Sequence, residues 1–393
     1  MVQDFVRTPF AILSFYRKQE GAHEKKLSTT YAVAFVVLFI APTILFNLFG
    51  SYLDQANFEQ RATAEKPVFR LEMLGEYPQS YEAYYNDNLP FRSFMIEANS
   101  LVDFYLFHQS PIAKVIVGED GWLFYNPAGN DGDPMADRNG SNLYSDEQLA
   151  QLAGILTSAR DTLQEHGKEF VVYIAPNKEG IYDYYLPSRY ATRESSTRAD
   201  QVVEYLWENT DLIVVYPKDA ILNAMNANPD KIYYYKTDTH WNPLGAYIGA
   251  RELLEALDIS IPALGELRIS TTGTSSGDLA NMMGLSKHLK YDDAYSVSGY
   301  SGASEIQEFL PAAEEGIDLT VYSTTGEDSR SLFVIHDSFS VAMLPYLTSQ
   351  FNNSCFVHRS FYTPDLLTQY PSDIVVFQTV ERYIDSLFNF TVE

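Results

Sequence analysis

A single cysteine, Cys355, occurs among the 393 residues. With one thiol, no intrachain disulfide forms, and neither a Cys-based metal site nor a CxxC redox motif exists. Basic residues are also scarce, 27 Lys and Arg against 52 Asp and Glu, for a net charge of −25. Phosphate backbones are bound by clustered Lys and Arg, so this balance argues against nucleic acid as a partner. It fits a soluble, self-repelling exposed domain. No internal repeat and no long low-complexity tract interrupt the chain. Hydrophobic residues at 46% are sufficient for a large core, and 29 tyrosines supply packing surface and rings for stacking on sugars.

Long, almost wholly apolar runs are absent except for one. Residues 27–53 carry no charge, and most of this stretch is apolar, long enough to cross a bilayer. Arg7, Arg17, Lys18, Lys25 and Lys26 precede it, while Asp54 and Glu59 follow. The positive-inside rule then predicts a cytoplasmic tail (1–26), an anchor (27–53) and an extracytoplasmic remainder. A cleaved signal peptide is the alternative, but the leader is long and no A-x-A site follows. A helical neck is expected over 54–112, with amphipathic helices at 72–87 and 91–107.

From residue 113 onward the pattern is that of an α/β domain reaching residue 393. Strands are expected at 114–118, 122–125, 170–175, 212–216, 332–335 and 374–377, and helices at 145–166 and 198–208. Residues 127–142, rich in Gly, Asn, Asp and Pro, read as a long loop. Alternating strands and helices imply a parallel sheet covered on both faces, with ligands beyond the strand carboxyl ends.

Two stretches carry candidate chemistry. Asp238 and His240 stand just ahead of Asn242-Pro243, an N-cap and first helical residue for the apolar pattern that follows. A carboxylate holding one imidazole nitrogen leaves the other free to take a proton. Ser338 follows the strand at 332–335 and precedes a short helix, expected at 341–344 and cut by Pro345. It is a nucleophile candidate with His240 as base, or else an N-cap serine. His336 is a rival base or a buried core histidine. Asp337 is expected to hydrogen-bond the turn, and Asp238, His240, His336 and Asp337 together are an alternative metal set. Asn177, Lys178 and Tyr182 fall beyond another strand end, and with Trp241 and Arg382 they are the candidate substrate contacts. Gly277 is expected to make a turn, and Glu381-Arg382 an ion pair.

These motifs carry a resemblance. Thr237-Asp238-Thr239-His240-Trp241 followed by Asp337-Ser338-Phe339 resembles the alginate O-acetyltransferase family and the related DHHW proteins. Phe58-Glu59-Gln60-Arg61, Asp87-Asn88-Leu89-Pro90-Phe91-Arg92, Gly118-Glu119-Asp120-Gly121-Trp122-Leu123-Phe124, Pro176-Asn177-Lys178, Gly277-Asp278-Leu279 and Val380-Glu381-Arg382-Tyr383 follow in the same order as that family's motifs. The resemblance implies an SGNH-hydrolase-like fold with Ser338 as nucleophile, His240 as base and Asp238 as its orienter. His336 replaces the family's glycine. It also implies O-acetylation of a surface or exported polysaccharide, without a cofactor. The acyl group would come from a membrane-bound O-acyltransferase partner or a small acetyl donor. A carbohydrate O-acetyl esterase and a non-catalytic scaffold in polysaccharide export are the alternatives.

Overall fold

The computed structural model describes residues 64–88, 92–127, 132–190, 196–300, 307–309 and 319–392, together with 29–38, 40, 41, 44 and 48. The tail 1–26, the motif at 58–61 and nearly half of the expected anchor lie outside these residues. The described part of 29–48 is helical, and its apolar side chains other than half-buried Ala41 are exposed. Among the described residues no helix is long and apolar enough to cross a membrane. By contact the chain divides into 1–99 and 100–393. The first unit holds α1 (Tyr77–Asp87), and α2 (Arg92–Phe107) begins in it and continues into the second.

The second unit is built on a seven-stranded sheet. Its strands are β3 (Glu169–Ala175), β4 (Ile213–Val215), β7 (Gln307–Phe309), β8 (Leu319–Ser323), β9 (Asp328–His336), β10 (Phe351–His358) and β11 (Ile374–Val380). Their order is β4-β3-β11-β9-β10-β8-β7. The first five run parallel, β8 pairs antiparallel with β10, and β7 pairs antiparallel with β8. A strand buried on both faces needs apolar side chains at every position, and alternation sends them to opposite layers. Val171 and Tyr173 of β3 and Val334 of β9 join one core with Leu244, Tyr247 and Leu254 of α8 (Pro243–Ala256). Phe170, Val172 and Ile174 join the other with Leu152 and Leu156 of α4 (Asp146–Glu165) and Val202 of α6 (Arg198–Asn209).

Helix starts follow local chemistry. Ser145 and Gln148 form a capping box on α4, and Thr197 and Asp200 form one on α6. Asn242 caps α8 through the N–H groups of Leu244 and Gly245, with Pro243 in the first turn. Two expectations change. The 127–142 loop contains α3 (Pro134–Asn139), capped by Asp133, opened by Pro134 and closed by left-handed Gly140. Pro345 does not cut a helix. It stands in the first turn of α10 (Leu344–Thr348), after a 3-10 turn over Ser338–Ala342, where its missing N–H costs nothing. The expected strands at 114–118 and 122–125 form a hairpin of β1 (Val115–Val117) and β2 (Leu123–Tyr125). It packs on α9 (Asp278–Met282), burying Leu123 with Leu279 and Met283.

Candidate active site

β9 ends at His336, and Asp337 turns the chain into the 3-10 segment that begins with Ser338. The Asp337 carboxylate is buried and fully used. It accepts the N–H groups of Phe339 (2.9 Å) and Val380 (2.6 Å) and the amide of Gln378 (2.9 Å). Gln378 returns its carbonyl oxygen to Asp337 N–H (3.0 Å) and to the Ser340 hydroxyl (2.8 Å). The turn is thus fastened to β11 while Ser338 stays exposed. Trp241 Nε1 donates to the Phe339 carbonyl at 3.0 Å, tying this turn to the loop that carries His240.

Across the gap, His240 Nε2 lies 2.8 Å from Ser338 Oγ, and Nδ1 lies 2.6 Å from Asp238 Oδ1. With the ring proton on Nδ1, His240 donates to Asp238 and accepts from Ser338. Asp238 also accepts the backbone N–H groups of His240 and Asp278, each at 3.0 Å. Burial pushes its carboxyl up, but the hydrogen bond and charge of His240 and these two N–H groups outweigh it and hold it at about 2. A second carboxylate stands close. Asp278 takes the N–H and hydroxyl of Thr239 (2.8 and 2.7 Å), with Oδ2 3.9 Å from His240 Nδ1. Burial and the charge of Asp238 raise its pKa. Asp238, His240 and Asp278 each place one donor atom within 4.8 Å of the others, close enough to hold an ion, although each already serves the hydrogen bonds just given.

The loop is held from three sides. Lys178, wholly buried, donates Nζ to the carbonyls of Tyr235 (3.2 Å), Lys236 (3.3 Å) and Asp238. Asp292 accepts Lys236 N–H, Thr237 N–H and the Thr237 hydroxyl. Asp278 takes Thr239. Gly277 lets α9 approach, because a Cβ there would stand 2.3 Å from Asp238 Cβ and 2.6 Å from Asp238 N. Gly277→Ala is therefore expected to cost about 1–3 kcal/mol of stability through overpacking. It should also displace Asp238. Thermal melts and ester turnover check this, and a wild-type-like variant would mean that the loop yields freely.

The expected substrate contacts turn inward. Lys178 holds the loop. Tyr182 stacks on Trp122 (4.2 Å) and accepts Tyr233 N–H at 2.8 Å. Asn177 gives its N–H to Glu381 and its amide to Asp137. Trp241 lies beneath the Ser338 turn. Arg382 is 5% exposed, its guanidinium over the rings of Tyr383 (5.1 Å) and Phe339 (5.3 Å). Glu381 is not seen paired with Arg382 and faces Asn177 and Asp137 instead. Burial, then the Asp137 charge, push it up to about 7. His336 is buried, with Nδ1 2.7 Å from its neighbour's carbonyl. Sequence reasoning missed Asp292 and Gln378. Gln378 was visible only as a polar residue in an apolar strand, a position that demands a partner. Asp292 carried no signal.

A largely parallel sheet with an exposed serine past β9 and an Asp-x-His loop facing it has the arrangement of an SGNH-hydrolase-like α/β fold. Residues 115–308 match the family model described as "SGNH hydrolase-like domain, acetyltransferase AlgX". Over 216 residues the chain is 28% identical to the probable alginate O-acetylase AlgJ of Pseudomonas putida, covering 54% of this chain and 52% of that one. The chain is thus similar to alginate O-acetylases over these residues, in keeping with the resemblance of its motifs. It spans about half the length of the curated relatives it matches. Bacillus cereus PatB1 has a similar fold, with a TM-score of 0.52 and 16% identity over 70% of this chain and 99% of that one. A DHHW family protein from Eubacterium siraeum aligns with a TM-score of 0.49 and 18% identity, over 71% and 99% of the two chains.

Proposed function

We propose that this chain is an O-acetyltransferase that esterifies hydroxyls of an extracytoplasmic polysaccharide through an acetyl-serine intermediate. The observation that carries it is the continuous contact from Asp238 through His240 to Ser338. Ser338 Oγ attacks the donor's acetyl carbonyl as His240 Nε2 takes the hydroxyl proton. Asp238 holds the imidazolium that forms. The Ser338 N–H at the head of the 3-10 turn is the donor offered to the oxyanion. Collapse of the tetrahedral species releases the donor's leaving group with the proton from His240. An acceptor hydroxyl then gives its proton to His240, attacks the acetyl-serine and restores Ser338.

The donor is a small acetyl compound or a membrane-bound acyltransferase partner. The uncharged run at 27–53 anchors the chain, with the site outside the membrane. Relatives named as alginate O-acetylases support a polysaccharide acceptor.

The test is intact-mass analysis after incubation with an aryl acetate. An acetyl increment on Ser338, absent in Ser338→Ala, is expected. An increment that persists in the variant sinks the reading. Acetyl content of the host's polymer separates the alternatives: a transferase variant loses acetyl groups and an esterase variant gains them.

A further inference from the structure

Behind the Asp238 loop lies a second cleft of about 790 Å³, within the roughly 300–1,000 Å³ of ligand sites. Its floor is the turn between β1 and β2, and one wall is the end of α2, with Tyr105. The Tyr291 ring lies on Gly121, where a Cβ would come within 2.8 Å of Cδ2. Gly121 also has φ +81°, so the position requires glycine twice over. Tyr105 and Tyr291 bring their hydroxyls to 3.5 Å, yet remain 53% and 39% exposed. Arg189 and Lys236 face the cleft, as do Glu119 and Asp120. Asp120 (φ 51°) and His108 (φ 51°) are two of the three described non-glycine residues in the left-handed region, and both line it.

Two solvent-facing phenol rings beside a mixed set of donors and acceptors suit a ligand with apolar faces and many hydroxyls. Sugar rings have that character: their C–H faces stack on aromatics while their hydroxyls bridge charged groups. Two cations and two carboxylates leave little net charge, so the cleft reads ring faces and hydroxyls rather than charge. It also touches the catalytic loop. Lys236 Nζ donates to the Asp120 carbonyl (3.3 Å), and the Lys236 carbonyl accepts Leu123 N–H (2.8 Å) and Lys178 Nζ.

We propose that this cleft is a saccharide subsite that holds a length of glycan chain apart from Ser338. Its assignment to the acceptor polymer rests on the acetyltransferase reading. A chain gripped there would keep further hydroxyls near the serine as an effectively intramolecular supply.

The test is calorimetric titration of the full chain with two probes, an alginate hexamer and cellohexaose, for wild type, Tyr105→Ala and Tyr291→Ala. The two tyrosines are 186 residues apart in sequence, so one misfolded variant, identified by its melt, does not decide the result. Binding of either probe, weakened at least tenfold by both substitutions and retained in Tyr291→Phe, is expected. If neither probe binds, or if the alanine variants bind like wild type, the proposal is overturned. Wild-type turnover of an aryl acetate is read in parallel. If it is absent while tyrosine-dependent binding persists, the acetyltransferase reading falls and the subsite stands.

Discussion

Ser338→Ala is expected to lower aryl acetate turnover about ten-thousandfold or more, because the nucleophile and its base act as a unit. His240→Ala should fall as far, and the double variant should be little worse than either. Asp238→Asn is expected to lose roughly a thousandfold to ten-thousandfold through a different route. An amide that turns its NH2 toward Nδ1 favours the tautomer protonated on Nε2, which cannot accept from Ser338. Asp238 also carries two backbone N–H groups, so this variant should lose some thermal stability, whereas Ser338→Ala should not. Because the Asp238 carboxyl is held at about 2, any loss of activity between pH 8 and pH 4 does not come from its protonation. Additive losses in the Ser338, His240 double variant would separate the two residues and undo the proposed mechanism.

The parts of the fold that were legible are those set by short-range chemistry. Asn242-Pro243 announced α8, the Ser145–Gln148 box announced α4, and the unbroken apolar run of β3 announced a strand covered on both sides. β10 was not legible. Its Asn352, Asn353 and Ser354 break any apolar pattern, and β9 alone supplies its parallel register. α3 was hidden because Gly, Asp and Pro also make turns, and only the spacing Asp133-Pro134 to Gly140 marks them as caps. In the candidate site, the strand-end serine and the Asp-x-His loop were visible as separate local features, and the fold brings them within 2.8 Å. Invisible were groups that hold the loop and the serine turn. Asp292 reaches the loop, and Gln378 the turn, from strands 55 and 41 residues away in sequence from their partners Thr237 and Asp337. Lys178 was read at the correct sheet edge, but its direction was not readable. A lysine past a strand end looks the same whether its ammonium faces a ligand or three carbonyls.

That direction yields the second large effect. Lys178→Met is expected to cost about 3–5 kcal/mol of stability, as when one partner of a buried charge set is removed. The carbonyls of Tyr235, Lys236 and Asp238 lose their shared donor, and no water reaches a residue with no exposed surface. Burial depresses the pKa of Lys178, and nearby Glu179, Asp238, Asp278 and Asp292 oppose that shift. With the cation gone, these carboxylates repel one another. The loop should then relax outward and carry His240 off Ser338. The kinetic signature separates this from substrate contact. A lysine that binds substrate would raise KM and leave kcat and melting temperature nearly intact. A lysine that positions the loop should lower kcat for a small aryl acetate at least a hundredfold, leave KM close to wild type, and lower the melting temperature together with kcat. A melt and a saturation curve on the same preparation decide it: an unchanged melt with a raised KM would return Lys178 to the substrate. Lys178→Arg is a sharper probe. It keeps the charge, but its planar fork does not fit a socket built around a point donor. Arginine should recover part of the stability lost in the methionine variant and little of the activity, because holding Asp238 requires an ammonium of that size at that point.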